Sequence, residues 1–235
     1  MRALAVALLL SGCQEPQTAV LKDGTDYALF YPSTGTPCAS AELEPTLLLT
    51  VEGWFRVDPG HTDTVQPLAA WGNVLAMWLG TDGRIYVSDG DDGPTGISAA
   101  AAIDDGGWHH VALTWDTFDM ELFVDGALLT SGAVARPGGA DSNLTIGCWP
   151  GIGSMEGLID EVRLTDGIRY TDSFTPEAPL DSSGVLLDLW HFDDGIGTST
   201  TGENGTTLEL SGIFWESVDG AANQGTSSGG SDSGR

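Results

Sequence analysis

Positive charge is what this 235-residue chain lacks most: 8 Lys and Arg stand against 34 Asp and Glu, for a formal net charge of −26. Lys22 is the single lysine. A nucleic-acid surface must neutralise phosphates with basic side chains, so this balance argues against DNA or RNA as a partner. It argues equally against docking on anionic lipid by charge alone. No apolar run reaches the ~18 residues of a membrane-crossing helix. Three cysteines and four histidines show no zinc-ligand spacing. A Gly-x-Ser-x-Gly nucleophile elbow and a glycine-rich phosphate loop are both missing. No stretch holds a convincing helical period. What is present is a core-forming, turn-rich composition, with 41% apolar residues, 8 Trp, 7 Phe, 33 Gly and 11 Pro. The aromatic content argues against disorder, and the length suits one large all-β domain.

The strands are read from alternation. Leu47, Leu49, Val51, Phe55 and Val57 share one face, while Leu48, Thr50, Glu52, Trp54 and Arg56 share the other. Tyr27–Tyr31 is a first strand. Asn73–Leu79 and Arg84–Ser88 are joined by Gly80-Thr81-Asp82-Gly83, a hairpin signal. Trp108–Trp115 places His109, Val111, Leu113 and Trp115 on one face, and Met120, Leu122 and Val124 return before the Asp125-Gly126 turn. Leu128–Thr130, Asn143–Cys148, Gly157–Thr165, Val185–Phe192 and Thr206–Trp215 complete the set. Ala99–Ala102 has room for one helical turn. Short strands with frequent turns predict a β-sandwich or barrel. The Gly/Ser-rich residues 220–235 are expected to be a disordered tail.

The N-terminus carries an address. Arg2 precedes the apolar run Ala3–Leu10, and Leu10-Ser11-Gly12-Cys13 resembles the lipobox of bacterial lipoproteins. That resemblance implies a signal peptide over residues 1–12, a lipid on Cys13 and a linker over 13–26. The alternative is an ordinary secretory signal with an incidental cysteine. Residue 14 is Gln, and the absence of Asp there points, by resemblance, to the outer membrane or cell surface. Setting Cys13 aside leaves Cys38 and Cys148, an even remainder that in an exported chain suggests one disulfide; two buried thiols are the other reading.

Five segments occur in a telling order: Leu49–Phe55, Gly107–Ala112, Leu122–Gly126, Leu144–Gly147 and Glu156–Arg163. Together they resemble the laminin-G-like family, relatives of the pentraxins. The resemblance implies a concanavalin A-like jelly-roll β-sandwich of two antiparallel sheets over residues 27–219. Leu189–Thr198 resembles a segment that usually opens such domains, so it either completes this sandwich or begins a truncated repeat. Family members often bind Ca²⁺ through loop and strand-end carboxylates, which implies Asp160, Asp193 and Asp194 here. Asp160 is placed in register with Leu158, Val162 and Leu164, where a carboxylate needs a hydrogen bond, an ion pair or a metal. Capping of loop amides or pairing with an arginine would serve it equally. Glu161 and Arg163 fall on the opposite face, toward solvent or the other surface. Asp89–Gly93 is a second acidic loop that does not complete a calcium pattern.

His109 and His110 are adjacent in a strand and point to opposite faces, so they cannot chelate one metal together. His61 and His191 have no spaced partners. Glu156–Glu161 does not match the Glu-x-Asp-x-x-Glu strand of related laminarinase-type enzymes. Among Trp54, Trp71, Trp78, Trp149 and Trp215, Trp149 stands at a strand-loop edge before Pro150-Gly151 and is the best sugar-stacking platform. The expected function is a non-catalytic, surface-anchored module that recognises an extracellular glycan or protein with the help of Ca²⁺, the membrane being reached only through the lipid. Its rivals are a structural envelope lipoprotein and a glycoside-hydrolase-related jelly roll.

Overall fold

The computed structural model describes residues 27–60, 64–72, 74–88, 97–133 and 142–218. Cys13, His61, the Asp89–Gly93 loop, the signal and linker segments and the C-terminal tail lie outside these residues. Among the described residues there are strands and no helix. In chain order they are β1 (Tyr27–Tyr31), β2 (Cys38–Glu42), β3 (Leu49–Val57), β4 (Gln66–Trp71), β5 (Leu75–Leu79), β6 (Arg84–Ser88), β7 (Ile97–Ala100), β8 (His109–Trp115) and β9 (Asp119–Val124). They continue as β10 (Ala127–Ala133), β11 (Asn143–Ile146), β12 (Cys148–Trp149), β13 (Gly153–Ser154), β14 (Gly157–Asp166), β15 (Leu186–Trp190), β16 (Ser199–Thr201), β17 (Thr207–Ser211) and β18 (Phe214–Ser217).

Two eight-stranded antiparallel sheets form the jelly-roll sandwich. The first runs β10-β9-β8-β3-β14-β1-β18, with β15 also on β14; the second runs β16-β17-β2-β11-β4-β5-β6-β7. The C-terminal strands join both sheets: β15 pairs with β14, β17 with β2 and β18 with β1.

The core is what alternation dictates for facing sheets. Leu49, Val51, Phe55 and Val57 of β3 meet Val111, Leu113 and Trp115 of β8, and across the gap Leu68, Trp71, Leu75, Met77, Ile85 and Val87 close the other side. Trp71, Trp115 and Trp190 are fully buried, and each aromatic of this size contributes about 4–6 kcal/mol of gross transfer free energy. Gly53 interrupts the apolar face of β3 because Val162 needs the space: a Cβ there would lie 3.0 Å from its Cγ2.

Four local readings need correction. Leu47 precedes β3 and is exposed. Ala99 and Ala100 belong to strand β7, which pairs with β6, so ladder bonds at the sheet edge override alanine's helical preference. The stretch 206–215 is two strands, separated at Gly212. The most consequential correction is in β14, where a bulge between Asp160 and Arg163 shifts its register on β3 and Glu161 takes a left-handed φ of 53°. Before the bulge Ile159 faces the core, and after it Val162 and Leu164 do. Asp160 therefore does not share the face of Val162 and Leu164.

Candidate functional site

The outer face of the first sheet is already occupied by the chain itself. Residues 168–183 cross it as an irregular strap. Trp54 Nε1 donates to the Glu177 carbonyl at 3.0 Å, and Tyr170 stacks on Phe174 with centroids 3.5 Å apart. Phe174 N–H donates to Gly126 O, where a side chain is excluded because a Cβ would lie 1.9 Å from the Phe174 carbonyl oxygen. Beneath the strap lies a buried ionic network. Glu52 Oε1 accepts from Arg163 Nε at 2.9 Å, and its Oε2 accepts from Tyr170 OH at 2.8 Å and lies 3.1 Å from His110 Nε2. Arg163 also donates to the Asp181 carboxylate at 2.8 Å.

Burial alone would raise the Glu52 pKa. The hydrogen bond from His110, together with the charge and hydrogen bond of Arg163, outweighs burial and holds the carboxyl below its usual range. Burial and the Glu52 charge push Tyr170 up to about 12. Of the two readings for Arg163 and Glu161, solvent is excluded, since both are buried. Arg163 serves Glu52, while Glu161 accepts from Leu180 N–H at 2.9 Å and lies 2.9 Å from His191 Nδ1. The strap hides a face that sequence alternation alone leaves open.

The second sheet presents a different outer face. Ala70 and Ala76 form a low floor on which Trp78, Tyr86 and Trp149 assemble. Trp78 stacks on Tyr86 at 5.5 Å and 12°, and packs on Trp149 at 5.3 Å and 42°. Trp149 belongs to the small β12–β13 hairpin, whose turn is closed by Ile152 N–H donating to Trp149 O at 3.0 Å. Thr145 Oγ1 donates to Cys148 O at 2.8 Å and fixes the hairpin base. The Cys38–Cys148 disulfide ties that base to β2, with Cα atoms 5.2 Å apart.

Trp149 is half-buried, with Trp78 packed against it and a groove of about 490 Å³ beside it. Thr36, both disulfide cysteines, Pro150, Ile152 and Ser154 help to line this groove. A smaller cavity of about 180 Å³ shares Ile152, Gly153 and Ser154 and adds Glu156. A fixed aromatic beside hydroxyls and backbone amides suits a ligand with one apolar face and many hydroxyls.

Trp149, Cys38 and Cys148 are therefore brought together, while the three aspartates are not. Asp160 is buried and its Oδ1 accepts from Glu161 N–H at 2.9 Å. Asp193 and Asp194 are exposed beyond β15. Among the described residues no group of three or more His, Cys, Asp or Glu is placed to hold a metal ion, so the arrangement does not fit a Ca²⁺ site built on these carboxylates. His109 lies between Asp125 and Asp105, at 2.8 and 3.1 Å, and burial is outweighed by these two carboxylates, which raise its pKa. Sequence reasoning missed Tyr86. The signal was available in the Gly80–Gly83 hairpin, whose register sets Trp78 opposite Tyr86.

A family model described as the concanavalin A-like lectin/glucanases superfamily matches residues 24–172, more than half of the chain. Among solved structures, a candidate carbohydrate binding protein from Bacteroides ovatus is similar at 18% identity and a TM-score of 0.67, over 83% of this chain and 60% of that one. The heptameric SAP-like pentraxin of Limulus polyphemus shares 15% identity at a TM-score of 0.49, over 79% of this chain and 95% of that one. Domains LG4-5 of the mouse laminin alpha1 chain share 18% identity at a TM-score of 0.46, over 67% and 46%. At these identities the likeness is one of fold. Among curated proteins no sequence matches.

Proposed function

For a chain that belongs to the concanavalin A-like lectin/glucanases superfamily, we propose the role of a non-catalytic glycan-binding module, exported and held at a bacterial envelope by a lipid on Cys13. The observation that carries the binding reading is the Trp149 groove. Its aromatic is fixed by Trp78 and by a hairpin tied to β2 through a disulfide. An aromatic already immobilised gives up little entropy when a sugar ring stacks on it. The Bacteroides ovatus structure, described as a candidate carbohydrate binding protein, supports the same reading at the level of fold.

The envelope address is supported by Leu10-Ser11-Gly12-Cys13 and by the disulfide, which persists in oxidising compartments. The non-catalytic reading is supported by Asp160 and Glu161, which are buried and hydrogen-bonded within their own chain. A half-buried tryptophan that also lines a groove favours binding over a purely structural role.

The test is a glycan array probed with the full chain and with Trp149→Ala. Array signals are expected for the wild type and lost in the variant, with its unfolding free energy within about 1 kcal/mol of wild type, as for a partly exposed site. A wild-type chain that binds no glycan overturns the binding reading. Palmitate labelling that persists in Cys13→Ser overturns the anchor.

A further inference from the structure

We propose that the Trp149 groove takes uncharged sugars and rejects sugar acids, an inference that rests on the glycan-binding reading above. Its lining contains Thr36, the Cys38–Cys148 disulfide, Trp149, Pro150, Ile152 and Ser154, with glycines between them. Every polar group in that set is a hydroxyl, the Trp149 indole N–H or a backbone amide, and no side chain in it carries a charge. Among the described residues, two acidic side chains stand near the groove. Glu156 lines the adjoining cavity, and Glu209 pairs with Ser40 on β2, the strand that supplies Cys38.

Among the described residues, positive charge is spent elsewhere. Of the arginines in the described residues, Arg163 and Arg169 serve Glu52 and Asp181 on the first sheet. Arg56 lies over Trp108 and within 3.9 Å of Glu216, also on the first sheet. Arg84 shares the outer face of the second sheet, but its guanidinium donates to Ser98 of β7, on the side of β6 away from the hairpin. A carboxylated or sulfated sugar entering the groove would lose hydration, meet no cation among the described residues, and approach against the field of a chain of net charge −26. A neutral sugar meets none of these costs. It stacks its apolar face on Trp149 and exchanges water for hydroxyl and amide partners of the same kind.

The experiment uses the full chain and Trp149→Ala on an array carrying neutral, sialylated, sulfated and uronate-containing glycans together with glucosamine oligomers. Each hit is then titrated against its charged counterpart by calorimetry. The expected result is Trp149-dependent binding confined to uncharged glycans. Carboxylated counterparts should bind about tenfold or more weakly, and neutral affinity should stay level between low and high salt. Trp149-dependent binding of an acidic glycan at equal or greater affinity overturns the inference while leaving the glycan reading intact. Tighter binding of the glucosamine oligomers than of neutral ones overturns it too, because the field and not the neutral lining would then decide. Absence of Trp149-dependent binding in every class removes the glycan reading itself, and the inference with it.

Discussion

Replacing Glu52 with glutamine keeps the side chain's shape and removes a charge from a position with no exposure to water. In the native network Glu52 accepts from Arg163 and Tyr170 and lies against His110. Glutamine can keep its oxygen on Arg163 and turn its NH₂ group to the Tyr170 hydroxyl and His110 Nε2, so what the substitution removes is the charge that balances Arg163. Arg163, itself fully buried, keeps Asp181 as its remaining counter-charge, and Asp181 is half-exposed. Removing one partner of a buried ion pair costs about 3–5 kcal/mol, because the other charge stays behind. Glu52→Gln is therefore expected to lose about that much in urea unfolding at neutral pH, followed by tryptophan fluorescence. Arg163→Met should cost a similar amount, and the double variant less than the sum by about 1–3 kcal/mol.

The Glu52 carboxyl is held below its ordinary range in the fold. Its contribution is therefore present above the unfolded carboxylate pKa and lost as pH falls through the depressed folded value. Strap release should also expose the bond after Arg169 to trypsin before the sandwich unfolds. Additive single-variant costs, or a Glu52→Gln protein within about 1 kcal/mol of wild type, would refute the claim that this network fastens the strap.

Other perturbations have equally definite outcomes. The hydrogen bond to Glu161, opposed by burial and helped by Glu203, raises His191 to about 9 from 6.5. Its stabilisation is thus complete below pH 6.5 and lost as pH rises through about 9; discounted for partial exposure, it amounts to about 1–2 kcal/mol. Unfolding free energies of wild type and His191→Gln should differ at pH 6 and converge at about pH 10. The Cys38→Ser/Cys148→Ser variant opens a link between residues 110 apart in sequence and should lose about 4–5 kcal/mol on chain entropy. An unchanged denaturation midpoint would contradict that account. Trp115→Ala empties a fully buried core position and should cost about 3–5 kcal/mol in the same assay; an unshifted melting temperature would mean that the wrong face of β8 had been assigned to the core.

The sandwich was legible in the sequence wherever one face of a strand repeats at period two. Val51, Phe55, Val111 and Leu113 follow that rule and are all in the core. The bulge in β14 was not legible, because it is made by Glu161 at positive φ and no glycine or proline marks the place. Its one extra residue takes Asp160 off the face of Val162 and Leu164. Glu52 and Arg163 look solvent-facing by alternation, since nothing local tells that residues 168–183 return to cover them. The groove was half legible. Trp149 stood out beside a proline and a glycine at a strand edge, whereas its support by Trp78 and Tyr86 arises from packing between a hairpin and a sheet far away in sequence.

The placement of β1 has a mechanical consequence. It lies between β14 and β18, antiparallel to both, with Tyr27 beside Ser217 at one end and Tyr31 beside Gly157 at the other. The Tyr31 hydroxyl donates to Ile146 O at 2.8 Å, just ahead of the hairpin that carries Trp149. A pull applied to the chain before Tyr27, while a ligand is gripped at the hairpin, therefore runs along the axis of β1. The ladder bonds on its two flanks lie across that axis, so they bear the load in parallel and must fail together, instead of parting one at a time as in a peeled hairpin. The first strand is placed as a shear clamp between Tyr27 and the groove.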